Sequence, residues 1–290
     1  MSLISVCGLP VRSASVRPTQ WPYDHLKRFG VCSQPQHPTI WFIDAVENSV
    51  ALFVADPFMV HENGHWYMFF EVMNLDTDRG EIALAVSSDG LVWDYSRIVL
   101  REPFHMSYPY VFDWDGEHYM IPETLEANSV NLYRADPFPT HWKPLGSVLP
   151  IRCADPSIYF RDGSWWLFAC SPVRSETLRL YRSACPTGPW LEHPRSPIVE
   201  RDARVARPAG RITSWRNRTI RYAQDCHADY GLRVHALEIL ELTPMSYVER
   251  VVEQSPVLGA GGNGWNSRRM HHLDPHVTAG GLWIACVDGC

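Results

Sequence analysis

A pattern that returns five times along 290 residues decides what this chain can fold into. The copies read VADPFMVHENGHWYMFFE from Val54, MSYPYVFDWDGEHYMIPE from Met106, CADPSIYFRDGSWWLFAC from Cys153, VARPAGRITSWRNRTIRYAQ from Val205 and HLDPHVTAGGLWIACVD from His272. Each is a short alternating run, a turn bearing Gly or Asn, and an aromatic-rich second run, the signature of a β-hairpin. Pro57, Pro109, Pro156, Pro208 and Pro275 mark units about fifty residues apart. Between copies, GEIALAVSSDGLVW, VNLYRADPFPTHW, TLRLYRSACPTGPW and LRVHALEILEL read as outer strands. A four-stranded unit cannot bury both faces alone, so such units pack radially around a channel.

The spacing therefore predicts an all-β fold, a five-bladed β-propeller. The last copy supplies only two strands, and strands near the front of the chain, around TIWFIDAVENSVALF, are expected to complete the fifth blade and close the ring. Residues 1–33 are expected as an amino-terminal extension, partly helical or irregular, and residues 34–290 as the propeller. RPTQWPYDHLKRF is the main helical candidate. The competing architecture is a β-sandwich with accidental internal similarity; scarce helical periodicity disfavours a doubly wound fold.

The composition suits this architecture, with 12 Trp and 12 Tyr for short strands and 23 Pro for many turns. Exposed aromatic rings are also the surfaces on which sugars stack. A formal charge of −6 without basic runs offers nothing to a phosphate backbone, so nucleic acid is not an expected partner. Eight cysteines without CxxC spacing read as mostly buried thiols. The amino terminus lacks a secretory pattern and no run reaches the roughly 18 apolar residues of a membrane span, so a soluble cytoplasmic protein is expected.

In a propeller the inner strand of each blade lines the channel, so equivalent repeat positions become neighbours. The residue before each proline contributes Asp56, Tyr108, Asp155, Arg207 and Asp274, and the position seven residues after each turn Gly or Asn contributes Glu71, Glu123, Cys170, Gln224 and Asp288. Acids near an axis are costly to desolvate and need water, a cation, Arg or ligand hydroxyls. One reading is structural, with the acids capping strand ends and pairing with Arg207, Arg268 and Arg269. The other is carbohydrate chemistry by two carboxyl groups, one protonated and one ionised. Asp56 is then the base and Glu123 or Asp155 the acid, with Glu71 a further candidate.

Tyr108, His105, Arg207, Gln224, Asp225, Asp274 and Asp288 are candidate substrate-binding residues. The segment GNGWNSRRMHHLDPH adds Arg268, Arg269, His271 and His272. Guanidinium groups there suit a phosphate or carboxylate, whereas a loop tied to an acidic channel explains them equally. Adjacent histidines on a strand point to opposite faces, so His271 and His272 are not expected to ligate one metal together. No cofactor is expected, and an axial calcium or sodium is left unassigned because no ligand loop announces one. Cys226 beside His227 reads as a buried thiol before a nucleophile. The sequon at Asn217 matters only in a secreted chain.

At these residues the chain resembles the five-bladed superfamily of arabinanases, levansucrases and invertases, in which an Asp opens the first inner strand as Asp56 does. It departs from the glycoside hydrolase family 43 pattern at Tyr108 and at Asp155, so the hydrolase triad is not intact. From Phe53 onward it is similar to the amino-terminal propeller domain of plant glucosamine inositolphosphorylceramide transferases, through FVADPF, FFE, HMSYPYVF, MIPE, WWLFA, AQDCHADYG and WNSRRMHH. The resemblance implies a carbohydrate or inositol-phosphate glycan as ligand. In those proteins a separate glycosyltransferase module follows the propeller, and none is read up to Cys290. Two expectations stand: a carbohydrate-active enzyme, or a non-catalytic glycan-binding module working with a separate glycosyltransferase.

Overall fold

A computed structural model describes residues 3–7, 39–41, 51–278, 281 and 283–290. The helical candidate at residues 17–29 lies outside the described residues. Strand β1 (Leu3–Cys7) pairs with β2 (Thr39–Trp41). One sheet follows in chain order: β3 (Ala51–Glu62), β4 (His65–Asn74), β5 (Arg79–Ser87) and β6 (Asp94–Leu100). The next is a second meander of β7 (Ser107–Trp114), β8 (Glu117–Glu123), β9 (Val130–Ala135) and β10 (Trp142–Leu149). The third comprises β11 (Ala154–Arg161), β12 (Ser164–Cys170), β13 (Leu178–Ser183) and β14 (Leu191–Glu192).

A fourth is built from β15 (Arg207–Pro208), β16 (Thr213–Trp215), β17 (Arg218–Gln224), β18 (Arg233–Leu242), β19 (Tyr247–Val251) and β20 (Leu258–Gly259). The chain ends in β21 (Leu273–Val277) and β22 (Trp283–Gly289), whose sheet runs β2-β1-β22-β21. Strand β1 thus joins this sheet from within the stretch expected as an extension. The described helices are short 3₁₀ turns at Leu125–Ala127 and Gly264–Asn266, and none is long and apolar enough to cross a membrane. This is an all-β propeller.

The packing follows from sheets that meet face to face. Strand β12 is buried along its whole length because both its faces touch a neighbouring sheet. Phe69, Ile82 and Leu84 pack against Val111, Met120 and Tyr133 of the next sheet. Tyr110 and Ile121 meet Ile158 and Leu167; Phe168 and Leu180 meet Ile239 and Tyr247; Tyr222 and Val234 meet Leu273 and Val287. Ile284 and Cys286 then return to Val54, Met59 and Met68. Burial of side chains this large contributes about 1.5–3 kcal/mol each.

The repeat owes its shape to a bulge. Register shifts fall between Ala55 and Phe58, Ser107 and Tyr110, and Ala154 and Ser157. Inside them Asp56, Tyr108 and Asp155 take left-handed φ values of 53°, 49° and 47°. A bulge of this kind re-aims a side chain out of the ladder. In β21 the register runs unbroken through Asp274 and Pro275, so Asp274 is not turned in the same way.

The axis is plugged below these bulges. The Tyr108 hydroxyl accepts the Gly210 N–H at 2.6 Å, donates to the Gly210 carbonyl at 3.1 Å and lies 2.8 Å from Ser157 Oγ. Arg211 Nε donates to Asp274 Oδ1 at 2.6 Å, and its other nitrogens reach the carbonyls of Val111 and Met59. Its guanidinium lies over the rings of Tyr110 and Phe58. Tyr108→Phe strands the Gly210 N–H without a partner and is expected to cost about 2 kcal/mol in urea unfolding. Gly210→Ala is expected to cost more, since a methyl there meets the Leu273 carbonyl at a φ of 118°.

Candidate functional site

Above the plug lies a cavity of about 320 Å³, at the lower end of ligand cavities, which span roughly 300–1,000 Å³. Its walls include Asp56, Glu71, His105, Glu123, Arg207, Arg269 and His271, together with Tyr230 and Ser107. Seven of the expected site residues thus share one chamber. The rest of that set falls in three places.

Asp155, Gln224, His272 and Asp288 stand behind the walls. Asp155 accepts from Arg207 Nε at 2.7 Å and from Gln224 Nε2 at 2.6 Å, while its own N–H donates to Glu123 Oε2 at 3.0 Å. Tyr108 and Asp274 lie deeper, in the axial plug. Asp274 accepts the Met59 N–H and pairs with Arg211 and His276; against burial, which raises it, these two side chains and the amide hold its carboxyl below the carboxylate range. Asp225 and Arg268 face elsewhere. Asp225 pairs with Arg233 and His235, and Arg268 is exposed, with its backbone N–H on the Cys290 carbonyl. Being neighbours around the channel therefore does not bring every candidate to the cavity: Tyr108 and Asp274, from the repeat, and Asp225, from beside it, do not line it.

Arg268 and Arg269 do not form a clamp either. Arg269 alone reaches the cavity, held by the Tyr230 carbonyl at 3.1 Å and Asp229 at 3.0 Å. The two histidines also differ from expectation. His271 Nε2 and His272 Nδ1 lie 3.5 Å and 3.6 Å from the same Asp56 Oδ1. They precede β21 rather than belonging to it, so strand alternation does not separate them.

The acids sit in unlike surroundings. Burial and the neighbouring Asp155 carboxylate raise the Glu123 carboxyl to about 8, against the opposing charge of Arg207. Burial also raises Asp56 well above the usual range, opposed by His271. Glu71 Oε1 lies 3.3 Å from His105 Nε2. His105 Nδ1 accepts the Gly80 N–H at 2.9 Å, so the proton of the neutral ring is on Nε2, facing Glu71. Gly80 permits this approach, because a side chain there meets the Met106 carbonyl and Glu71.

Asp56, His271 and Asp288 bring one ligand atom each within 4.8 Å of one another. Those atoms already serve each other: His271 Nδ1 is 3.0 Å from Asp288 Oδ1, and Asp288 Oδ2 accepts the Asp56 N–H at 3.1 Å. With His271 and Asp288 paired to each other, the Asp56 carboxyl is the one donor of the three left over, too few to fit a metal centre. Burial raises the Cys226 thiol, which is the inert rather than the nucleophilic form. Tyr230, whose ring carries the Arg207 guanidinium at 4.9 Å, was not among the expected site residues. Its signal was its place in AQDCHADYG, outside any repeat position. Arg211 likewise sits where the fourth copy matches no other.

A proton held by folded Glu123 makes stability fall as pH rises from its ordinary value of 4.5 to about 8, because the unfolded chain has already released it. The slope reaches up to about 1.4 kcal/mol per pH unit. Glu123→Gln is expected to remove that slope, so that the variant gains on the parent across this window in urea unfolding. Identical pH dependence in both proteins would mean that Glu123 is ionised in the fold.

Residues 39–290 match the family model described as glucosamine inositolphosphorylceramide transferase 1, N-terminal. Glucosamine inositolphosphorylceramide transferase 1 of Oryza sativa subsp. japonica is 37% identical over 245 residues, covering 82% of this chain and 33% of that protein. The protein of the same description from Arabidopsis thaliana is 35% identical over 245 residues, 82% of this chain and 32% of its own length. The chain thus spans about a third of these relatives. Among solved structures, Zg3597, a family 117 glycoside hydrolase of Zobellia galactanivorans, superposes with a TM-score of 0.58 at 17% identity over 86% of each chain. The RS223 beta-xylosidase gives 0.59 at 12% identity over 74% of this chain and 80% of that one. At such identities the two structures speak for the propeller fold alone.

Proposed function

The chain belongs to the family of glucosamine inositolphosphorylceramide transferase 1 amino-terminal domains, and from that premise we propose that its cavity takes a sugar or inositol-phosphate glycan and acts on it with two carboxyl groups. Asp56 is the base and Glu123 the acid. The observation that carries this reading is the contrast between their neighbours within one cavity. Glu123 shares its surroundings with the Asp155 carboxylate, which favours keeping its proton. Asp56 has an imidazolium partner, which favours losing it. Burial raises both acids, and it is the charge beside each, a carboxylate for Glu123 and an imidazole for Asp56, that separates them, as a pair dividing acid and base roles in glycosidic bond chemistry requires. Arg269 and His271 on the same wall suit a phosphate or carboxylate of the ligand.

A second reading has a specific observation in its favour. Arg207 binds Asp155 at 2.7 Å and approaches Glu123 at 3.6 Å, an arrangement that serves a rigid binding wall as well as an active one. The propeller is then a glycan-binding module, and a separate glycosyltransferase does the chemistry. In either case we read the five sheets as five blades of one ring, closed by the pairing of β1 with β22. The apolar contact of Ile284 and Cys286 with Val54 and Met68 supports that count.

The two readings separate in an NMR time course with oligosaccharides, inositol glycans and sugar nucleotides, run beside Asp56→Asn and Glu123→Gln. New anomeric signals that disappear in either variant are expected for the enzyme. Line broadening of one ligand without turnover identifies the binding module, and neither effect with any ligand rejects both.

A further inference from the structure

Two imidazole nitrogens face one of the two carboxyl oxygens of Asp56. His271 Nε2 and His272 Nδ1 both approach Oδ1, at 3.5 Å and 3.6 Å. His271 is itself fixed, its Nδ1 3.0 Å from Asp288 Oδ1 and its N–H donating to the same oxygen at 3.2 Å. Asp288 Oδ2 in turn accepts the Asp56 N–H at 3.1 Å. Among the described residues no side chain hydrogen-bonds either carboxyl oxygen of Asp56; both imidazoles lie nearest Oδ1, and Asp56 is part of the cavity wall.

We propose that His271 and Asp288 are positioning residues which, with His272, make Asp56 a base that works through Oδ2 alone. The proposal rests on the assignment of Asp56 as the base. Its physical content is the charge inventory around that carboxyl. Glu71 from β4, Asp155 from β11 and Asp288 from β22 all oppose ionisation of Asp56, as does burial. Tyr230, on the loop after β17, adds no positive charge. His271 is the cation that opposes them. Burial works against that cation, but the charge and hydrogen bond of Asp288 overcome it and lift His271 to about 9. Asp288 remains a carboxylate: burial raises it, yet His271 draws it down to about 2.

The neighbouring histidine has the other part. His272 is fully buried against Phe58 and Tyr108, and burial lowers it to about 4. It is a neutral ring, and its Nδ1 faces Asp56 Oδ1 without adding charge. Asp288 is the difference between the two histidines: it bonds the ring of one and not of the other. If Asp288 and His271 merely tied the segment before β21 to β22, Asp56 would titrate alike with or without the imidazole.

The test is a carboxyl carbon-13 NMR titration of the full chain labelled at aspartate and glutamate, with Asp56→Asn assigning the signal. Opposite charges this close shift a carboxyl by about 1–3 pH units. His271→Gln is therefore expected to raise the Asp56 midpoint by about one unit or more, and Asp288→Asn to raise it by less, while Glu123 holds its midpoint. An unchanged Asp56 midpoint in His271→Gln overturns the proposal. Should that variant fail to fold, nitrogen-15 spectra of the unaltered protein decide: a doubly protonated His271 ring at neutral pH supports the proposal and a neutral ring overturns it. These readouts need no turnover, so a chain that binds a glycan without reacting still answers the question.

Discussion

A charged pair buried on the axis holds the sheets in their arrangement. Arg211 joins Asp274 of β21 to the carbonyl of Val111 on β7 and of Met59 on β3, and Asp274 takes the Met59 N–H in return. Breaking such a pair leaves a buried charge uncompensated, at a cost of about 3–5 kcal/mol. The aromatic rings of Phe58 and Tyr110 beneath the guanidinium, and the Tyr108 hydroxyl on Gly210, complete the plug. A propeller axis would otherwise be a channel. Here it is stopped part way, and the closed end becomes the floor of a pocket.

The pocket above inherits its electrostatics from that closure. Three of its acids have a partner: Asp155 has Arg207 and Gln224, Asp288 has His271, and Glu71 has His105. Glu123 and Asp56 are the two whose burial is least compensated. Both line the cavity, as Glu71 does, and it is their raised carboxyls that lead chemistry to be assigned to them. A residue with every lone pair spoken for stabilises; one left short is available to a ligand.

Much of this was legible beforehand, and the failures have one origin. Asp56, Glu71, Glu123 and Arg207 were found because equivalent repeat positions do become spatial neighbours. Tyr108 and Asp274 occupy the same repeat position as Asp56 yet leave the cavity, for different reasons. Tyr108 shares the bulge, but its ring is too long to stop at the wall and carries its hydroxyl across to Gly210 and Ser157. Asp274 lacks the bulge, so its carboxylate stays in ladder register and meets Arg211. A bulge is set by backbone φ and by the partner strand, neither of which is written at the position itself. His271 and His272 were separated on paper by strand alternation, which does not govern the turn they occupy.

By itself the sequence determined the class of fold and most of the wall. Five returns of one hairpin pattern admit few architectures, since each unit must bury both faces against another copy of itself. Tertiary structure alone decided which acids are neutralised and which remain available. That choice depends on through-space partners contributed from far along the chain, such as Asp288 for His271 and Asp56 and Arg211 for Asp274. A local pattern records the spacing of carboxylates, whereas their ionisation is a property of the cavity that closes around them.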